Sequence, residues 1–292
     1  MKKFVFCRII FLFTLFPFII KAQPFVDIVN INAQAFGVTY KDSLLPKSLV
    51  TNYNATVFLP KKFANGNMFL FRLCGEMLQL GKQEPYANLY AISMPVGFQF
   101  VSKNKKWKAA FLVMPKISSD FSDHYSSNDG QLGGTTLFTY VANDTSLKIK
   151  FGLYYNRECF GNFFVPLAGI DWKVNKRLSI YGILPNNMRA EWKMSKRFYA
   201  GIGYKNYQRS YRLGLQYQDD FVRVRESQVK VFFDFLAWKH ALIFFDVAYM
   251  LKYSFIQYGD QIENEIHPSA VYAPMENNFL TTFGIAYRLR LD

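Results

Sequence analysis

Cysteine and histidine are scarce in this 292-residue chain, with three of each. No Cys-x-x-Cys occurs, and His124, His240 and His267 stand far apart, so no zinc site can be read. Cys7 lies ahead of an apolar run, which leaves Cys74 and Cys159 beyond it. That excludes a disulfide-rich scaffold, and two free thiols are expected. Past residue 22 no stretch offers the ~20 consecutive apolar residues that a membrane-spanning helix needs. No Gly-x-Ser-x-Gly occurs, and no histidine can be matched to a nucleophile or a carboxylate pair. Asp120, Asp123, His124 and Asp129 do not follow the spacing of a calcium-binding loop. The chain is therefore read as a non-enzyme, with no catalytic, cofactor-binding or metal site.

What is present begins with a processing segment. Lys2, Lys3 and Arg8 precede an apolar run, Ile9 to Ile20, and the small residue Ala22 precedes Gln23. This reads as a secretory signal peptide over 1–22, leaving a single domain over 23–292. Removing it takes four basic residues and no acid, so Lys+Arg falls from 35 to 31 against 21 acids. The remaining charges are spread through alternating segments, without a basic helix or a recognition motif, so nucleic acid is not an expected partner. Aromatics make up 18% of the chain, with 31 Phe and 19 Tyr. Such richness with modest overall hydropathy fits strands whose two faces meet different solvents.

The clearest such strand is the last. From Phe283, the residues Phe283, Ile285, Tyr287, Leu289 and Leu291 alternate with Gly284, Ala286, Arg288 and Arg290. Period-two alternation marks a β-strand with one apolar and one polar face. The same pattern recurs with Leu147, Ile149, Phe151, Leu153 and Tyr155 against Lys148, Lys150, Gly152 and Tyr154. Continued along the chain it predicts fourteen strands of an all-β transmembrane antiparallel barrel. Twelve is the count if the short 178–194 hairpin lies outside the wall. Parity is broken between Phe198 and Phe235, which predicts a loop or bulge there, and 255–278 is predicted to be the longest loop.

Connections alternate in kind. The tight turns hold Lys61/Lys62, Lys103/Lys105/Lys106, Lys176/Arg177, Lys196/Arg197 and Lys239. The long ones hold Asp120/Asp123/Asp129 and Asp260/Glu263/Glu265/Glu276. In such barrels short turns face the periplasm and long loops the outside. Trp107, Trp172, Trp192 and Trp238 fall at or near strand ends beside basic turns, as an interfacial girdle would.

Two resemblances follow from these residues. The C-terminal strand resembles the closing strand and assembly signal of Gram-negative outer-membrane β-barrels. Phe160 to Pro185 resembles a family of outer-membrane β-barrels grouped as a domain of unknown function. The matching features are Phe160-Gly161, Pro166-Leu167, Gly169, Asp171-Trp172, Leu178-Ser179 and Gly182 to Pro185. The likeness implies bacterial outer-membrane location and barrel architecture, and it transfers no catalytic role. Expected partners are membrane lipid and lipopolysaccharide, the barrel-assembly machinery through the last strand, and a small solute.

A charge on the lipid face would cost roughly 2–4 kcal/mol at mid-membrane, so charged strand residues must face inward. Those expected to line the lumen are Arg72, Glu76, Lys148, Lys150, Asp171, Lys173, Arg189, Glu191, Lys193, Asp234, Asp246, Lys252, Arg288 and Arg290. They could select a solute by charge, or they could pair across strands and fill the interior. The expected function is a passive or gated conduit for a small solute. The alternative is a non-conducting structural or surface-binding barrel with acidic extracellular loops.

Overall fold

The computed structural model describes residues 24–40, 48–81, 88–122, 129–142, 146–214, 220–258, 266–274 and 279–290. The segment read as a signal peptide lies outside them. So do Asp123, His124, Asp260, Glu263, Glu265 and Glu276, and the side chain of His267 is likewise not described.

Among the described residues, seventeen strand segments form one closed antiparallel sheet. In order they are β1 (Phe25–Tyr40), β2 (Ser48–Phe58), β3 (Lys61–Lys62), β4 (Met68–Gln79), β5 (Asn88–Ser93) and β6 (Val96–Val101). Then come β7 (Trp107–Ser119), β8 (Gly130–Val141), β9 (Leu147–Glu158), β10 (Gly161–Lys173), β11 (Leu178–Leu184) and β12 (Asn187–Lys193). The last are β13 (Phe198–Arg212), β14 (Phe221–Leu236), β15 (Ala241–Tyr258), β16 (Ile266–Pro274) and β17 (Phe279–Arg290). Three staves of the wall are each made of two segments. Segments β2 and β3 both pair with β4, segments β5 and β6 both bridge β4 and β7, and segments β16 and β17 both bridge β15 and β1. The wall therefore has fourteen staves, and the short 178–194 hairpin is part of it. Two of the interruptions contain Pro60 and Pro95, which cannot donate to a ladder.

The barrel closes where β17 meets β1, from Phe25↔Arg290 to Phe36↔Leu280. Closure gives every stave a partner on both sides around the ring, as a strand wall in lipid needs. The outward residues are apolar and exposed, among them Ile31, Phe111, Phe151, Ile202, Phe245 and Phe283. Cross-strand register also stacks aromatics on this face, as at Phe138 and Phe151, whose rings lie 5.5 Å apart. All four tryptophans are exposed at the short-turn end. A belt of this kind is what a membrane-embedded barrel presents.

Three expectations need correction. The segment 255–278 is not one loop, because β15 continues to Tyr258 and β16 adds pairings with β15 and β1. The pairing of β14 with β15 shifts between Ser227 and Gln228, skipping Leu251. Buried positions on β15 consequently pass from Ala248 and Met250 to Tyr253 and Phe255, which hides the continuation from an alternation test. Segment β14 itself runs unbroken. Its apolar residues change parity because Val222 and Val224 are buried inside the barrel while Val229, Val231, Phe233 and Phe235 face out. Connections also do not alternate strictly in length: Cys159–Phe160 and Pro185–Asn186, at the long-loop end, are tight turns.

Those tight turns matter because β11 and β12 are only seven residues long. Along β10, β11 pairs only with Ala168 to Lys173, so the edge Gly161–Leu167 has no partner on that side. Along β13, β12 reaches only as far as Lys205. Above the short hairpin the wall has a gap, and the upper parts of β13, β14 and β15 fold inward there.

Candidate functional site

The inward-folded arm has two faces. On one, Tyr211, Leu213, Val222, Val224 and Phe255 join a buried cluster with Phe36, Val50, Leu78 and Leu89 from the opposite wall. Burying an aliphatic or aromatic side chain fully stabilises by roughly 1.5–3 kcal/mol, so this cluster holds the arm in place. Arg209 adds an ion pair across the lumen to Glu76 at 2.8 Å, and a second to Glu226.

The tip of β13 docks on the ends of β7, β8 and β9. Ser210 donates its amide and its hydroxyl to Glu158 Oε2, at 3.1 and 2.6 Å. Its hydroxyl oxygen accepts from the Cys159 amide at 3.0 Å, and its carbonyl accepts from Ser118 Oγ at 2.7 Å. Gln131 and Asn156 complete the knot, and Lys116 approaches Glu158 at 3.5 Å. Arg212 pairs in parallel with Ser119, and its carbonyl accepts the Asp120 amide. One wall of the barrel thus reaches across its own mouth. Cys74 and Cys159 are both free thiols.

Lower down, the side bounded by β11–β15, β17 and β1 is filled by paired charges. Arg288, fully buried, grips Asp27 through Nε and Nη2 at 2.6 and 2.9 Å and also bonds Asp234. Its guanidinium lies 3.5 Å from the centre of the Phe25 ring. Arg189 shares Asp234 at 3.3 Å and lies 3.6 Å above the Phe232 ring. Arg290 pairs with Glu191, which also accepts the Tyr181 hydroxyl at 3.1 Å, and Lys230 pairs with Asp246. Bidentate and shared contacts of this kind satisfy charges that water no longer reaches.

Between this packed side and strands β4 and β6–β10 a cavity of about 980 Å³ stays open, reached from the packed side by Phe25, Tyr181, Arg189, Arg225, Glu226 and Lys252. Lys108, Lys148 and Lys150 line it with Asp171, which pairs with Lys150 at 2.7 Å. Register brings them together: Lys108 is opposite Thr139, Thr139 opposite Lys150, and Lys148 opposite Asp171. Apolar side chains continue the lining, including Leu70, Leu112, Leu137, Phe163, Val165 and Leu167. The cavity reaches the wall gap, where Asn206 and Gln208 of β13 face it from the other edge.

All fourteen sequence-expected charges come from inward-facing positions or strand ends, but they do not form one ring. Glu76, Lys150, Asp171, Arg189, Glu191, Asp234, Asp246, Arg288 and Arg290 are engaged in ion pairs. Lys193 lies 5.8 Å from the Tyr199 ring, and Lys173 is exposed at the short-turn end. Arg72 stacks on Phe58, and Lys252 borders the cavity from the β15 bulge. Sequence reasoning missed Asp27, Lys108, Lys116, Glu158, Arg209 and Lys230. Lys108 and Lys230 share the alternating pattern of their strands and could have been found by it. Glu158 could not, because its partner Ser210 is 52 residues away and on a strand that leaves the wall.

No family model matches the chain, so none answers to the likeness seen at Phe160 to Pro185, and no curated protein matches it. Solved structures share its outline at a distance. The outer membrane channel from Pseudomonas putida F1 is 7% identical with a TM-score of 0.44, over 92% of this chain and 98% of that one. The NanC porin is 6% identical with a TM-score of 0.37, over 89% and 100%. A mutant porin from Rh. blastica is 8% identical with a TM-score of 0.27, over 89% and 100%. Likenesses this distant carry no argument about activity; the fold rests on the strand pairings above.

Proposed function

We propose that the protein is a barrel of the Gram-negative outer membrane that acts as a gated conduit for a small solute. The apolar belt and the signal-like start support the location, and the short basic turns would then face the periplasm. The observation that carries the reading is the lumen's division: one side is filled with ion pairs, while the other keeps a cavity of about 980 Å³ under an inward-folded arm. Lipid and lipopolysaccharide surround such a barrel, and the alternating strand Phe279–Arg290 would be read by the assembly machinery.

The arm is the gate, and Ser210–Glu158 is its latch. Single-channel recording of the protein in planar bilayers tests this. Glu158→Ala and Ser210→Ala are expected to raise conductance above a low wild-type level. If wild type and both variants stay silent while folded, the conduit reading fails. A second reading, a non-conducting barrel that binds at its surface, is favoured by the same knot closing the mouth, and silence would leave it standing.

A further inference from the structure

We infer that the open side of the lumen is a binding site for an amphipathic anion, its head held by Lys108, Lys148 and Lys150 and its tail laid along the apolar wall toward the gap. This deepens the conduit reading and rests on it for what the cargo is.

Lys148 is 5% exposed, has no ion pair among the described residues and points into the cavity. A buried ammonium without a counter-charge is costly. Lys108 has no ion pair among the described residues either, and Lys150 already occupies Asp171. Three cations thus share one carboxylate, and the charge that is missing is negative. The packed side of the same lumen shows cations met by acids without a ligand, as with Arg288 and Asp27, Arg290 and Glu191, and Lys230 and Asp246.

The rest of the lining sets the ligand's other end. Leu167, Val165 and Phe163 follow Asp171 up the same face of β10. Leu167 is four residues from Asp171, about 13 Å along the strand, and Phe163 is about 13 Å further. Leu137 on β8, across Gly152 of β9 from Leu167, and Leu112 on β7 continue the apolar lining. An inorganic anion would leave that strip unused, and a neutral lipid would leave the lysines unpaired. A carboxylate or phosphate head on an alkyl or aromatic body satisfies both. The strip ends at the free edge of β10, whose outward neighbours Phe164 and Pro166 lie in the apolar belt, so the tail end of the site borders lipid.

The test is calorimetric titration of the folded protein in lipid nanodiscs, with empty nanodiscs subtracted, using dodecanoate, butyrate, sulfate and dodecyltrimethylammonium as probes. Dodecanoate is expected to bind in excess of the empty discs, with the other three at least about tenfold weaker. Lys148→Met keeps the stem and removes the charge, and should weaken dodecanoate about tenfold. Leu167→Ser should weaken it while leaving the head contacts. A heat-modifiable gel shift checks that each variant is folded. Equal binding of dodecanoate and dodecyltrimethylammonium, or no loss in Lys148→Met, overturns the head assignment. Butyrate or sulfate binding as tightly as dodecanoate overturns the amphipathic class. A barrel that conducts but binds no probe defeats this inference alone, whereas one that binds dodecanoate yet never conducts defeats only the conduit.

Discussion

Ser210 donates both its amide and its hydroxyl to the same carboxylate oxygen of Glu158, across the mouth of the barrel. Both residues are buried, so the bonds are shielded from water and each counts for more than a surface contact. Glu158→Ala removes the acceptor and leaves the Ser210 amide unsatisfied. It should cost about 1–3 kcal/mol, read as a lower denaturation midpoint of the detergent-solubilised barrel. A change in conductance with no loss of midpoint would mean that the knot gates without stabilising.

The charged fill makes a larger prediction. Arg288→Met strands Asp27, which has no other ion pair among the described residues, and leaves Asp234 with Arg189 alone. Breaking a buried network from one side costs about 3–5 kcal/mol, measurable by urea titration after reconstitution. Replacing Asp27 by Asn in the same variant should restore part of it, because the carboxylate left without a cation is removed.

Lipid exposure of the belt can be tested on two neighbouring strands, β8 and β9. Phe151, half exposed on the outer face of β9, should not tolerate arginine: the change is expected to cost about 2–4 kcal/mol near mid-membrane. Arginine at Thr135, which faces the cavity, should cost far less. Equal penalties in folding assays would mean that the two faces are misassigned.

The floor of the wall gap depends on a glycine. Gly182 in β11 has φ +148°, a region that side chains rarely adopt, and a Cβ there would lie 2.4 Å from the Asn187 carbonyl oxygen. Gly182→Ala should destabilise the short hairpin by about 1–3 kcal/mol. The expected readout is faster proteolysis within 178–194 in the folded barrel, with the rest of the pattern unchanged.

Much of the architecture was legible in the residues. Leu147 to Tyr155 and Phe283 to Arg290 show their faces directly, because lipid outside and polar contacts inside impose opposite chemistry on neighbouring residues. The count of fourteen staves follows from the same alternation, even through the breaks at Pro60 and Pro95. Legibility ends where the solvent argument ends. Val222, Val224, Tyr253 and Phe255 are apolar because they pack against one another inside the mouth, and parity cannot separate that core from lipid.

The sequence by itself determined that this is an alternating β-barrel wall, which residues face lipid, and that the strand charges turn inward, since each follows from the local cost of placing a charge in hydrocarbon. Only the tertiary structure decided how those charges divide, with Arg288 and Arg189 neutralised by Asp27 and Asp234 while Lys148 faces a cavity. It also decided that the upper arm crosses the lumen to place Ser210 on Glu158. The reason is distance along the chain: partners tens to hundreds of residues apart are chosen by register and closure of the whole ring, and no local pattern carries that information.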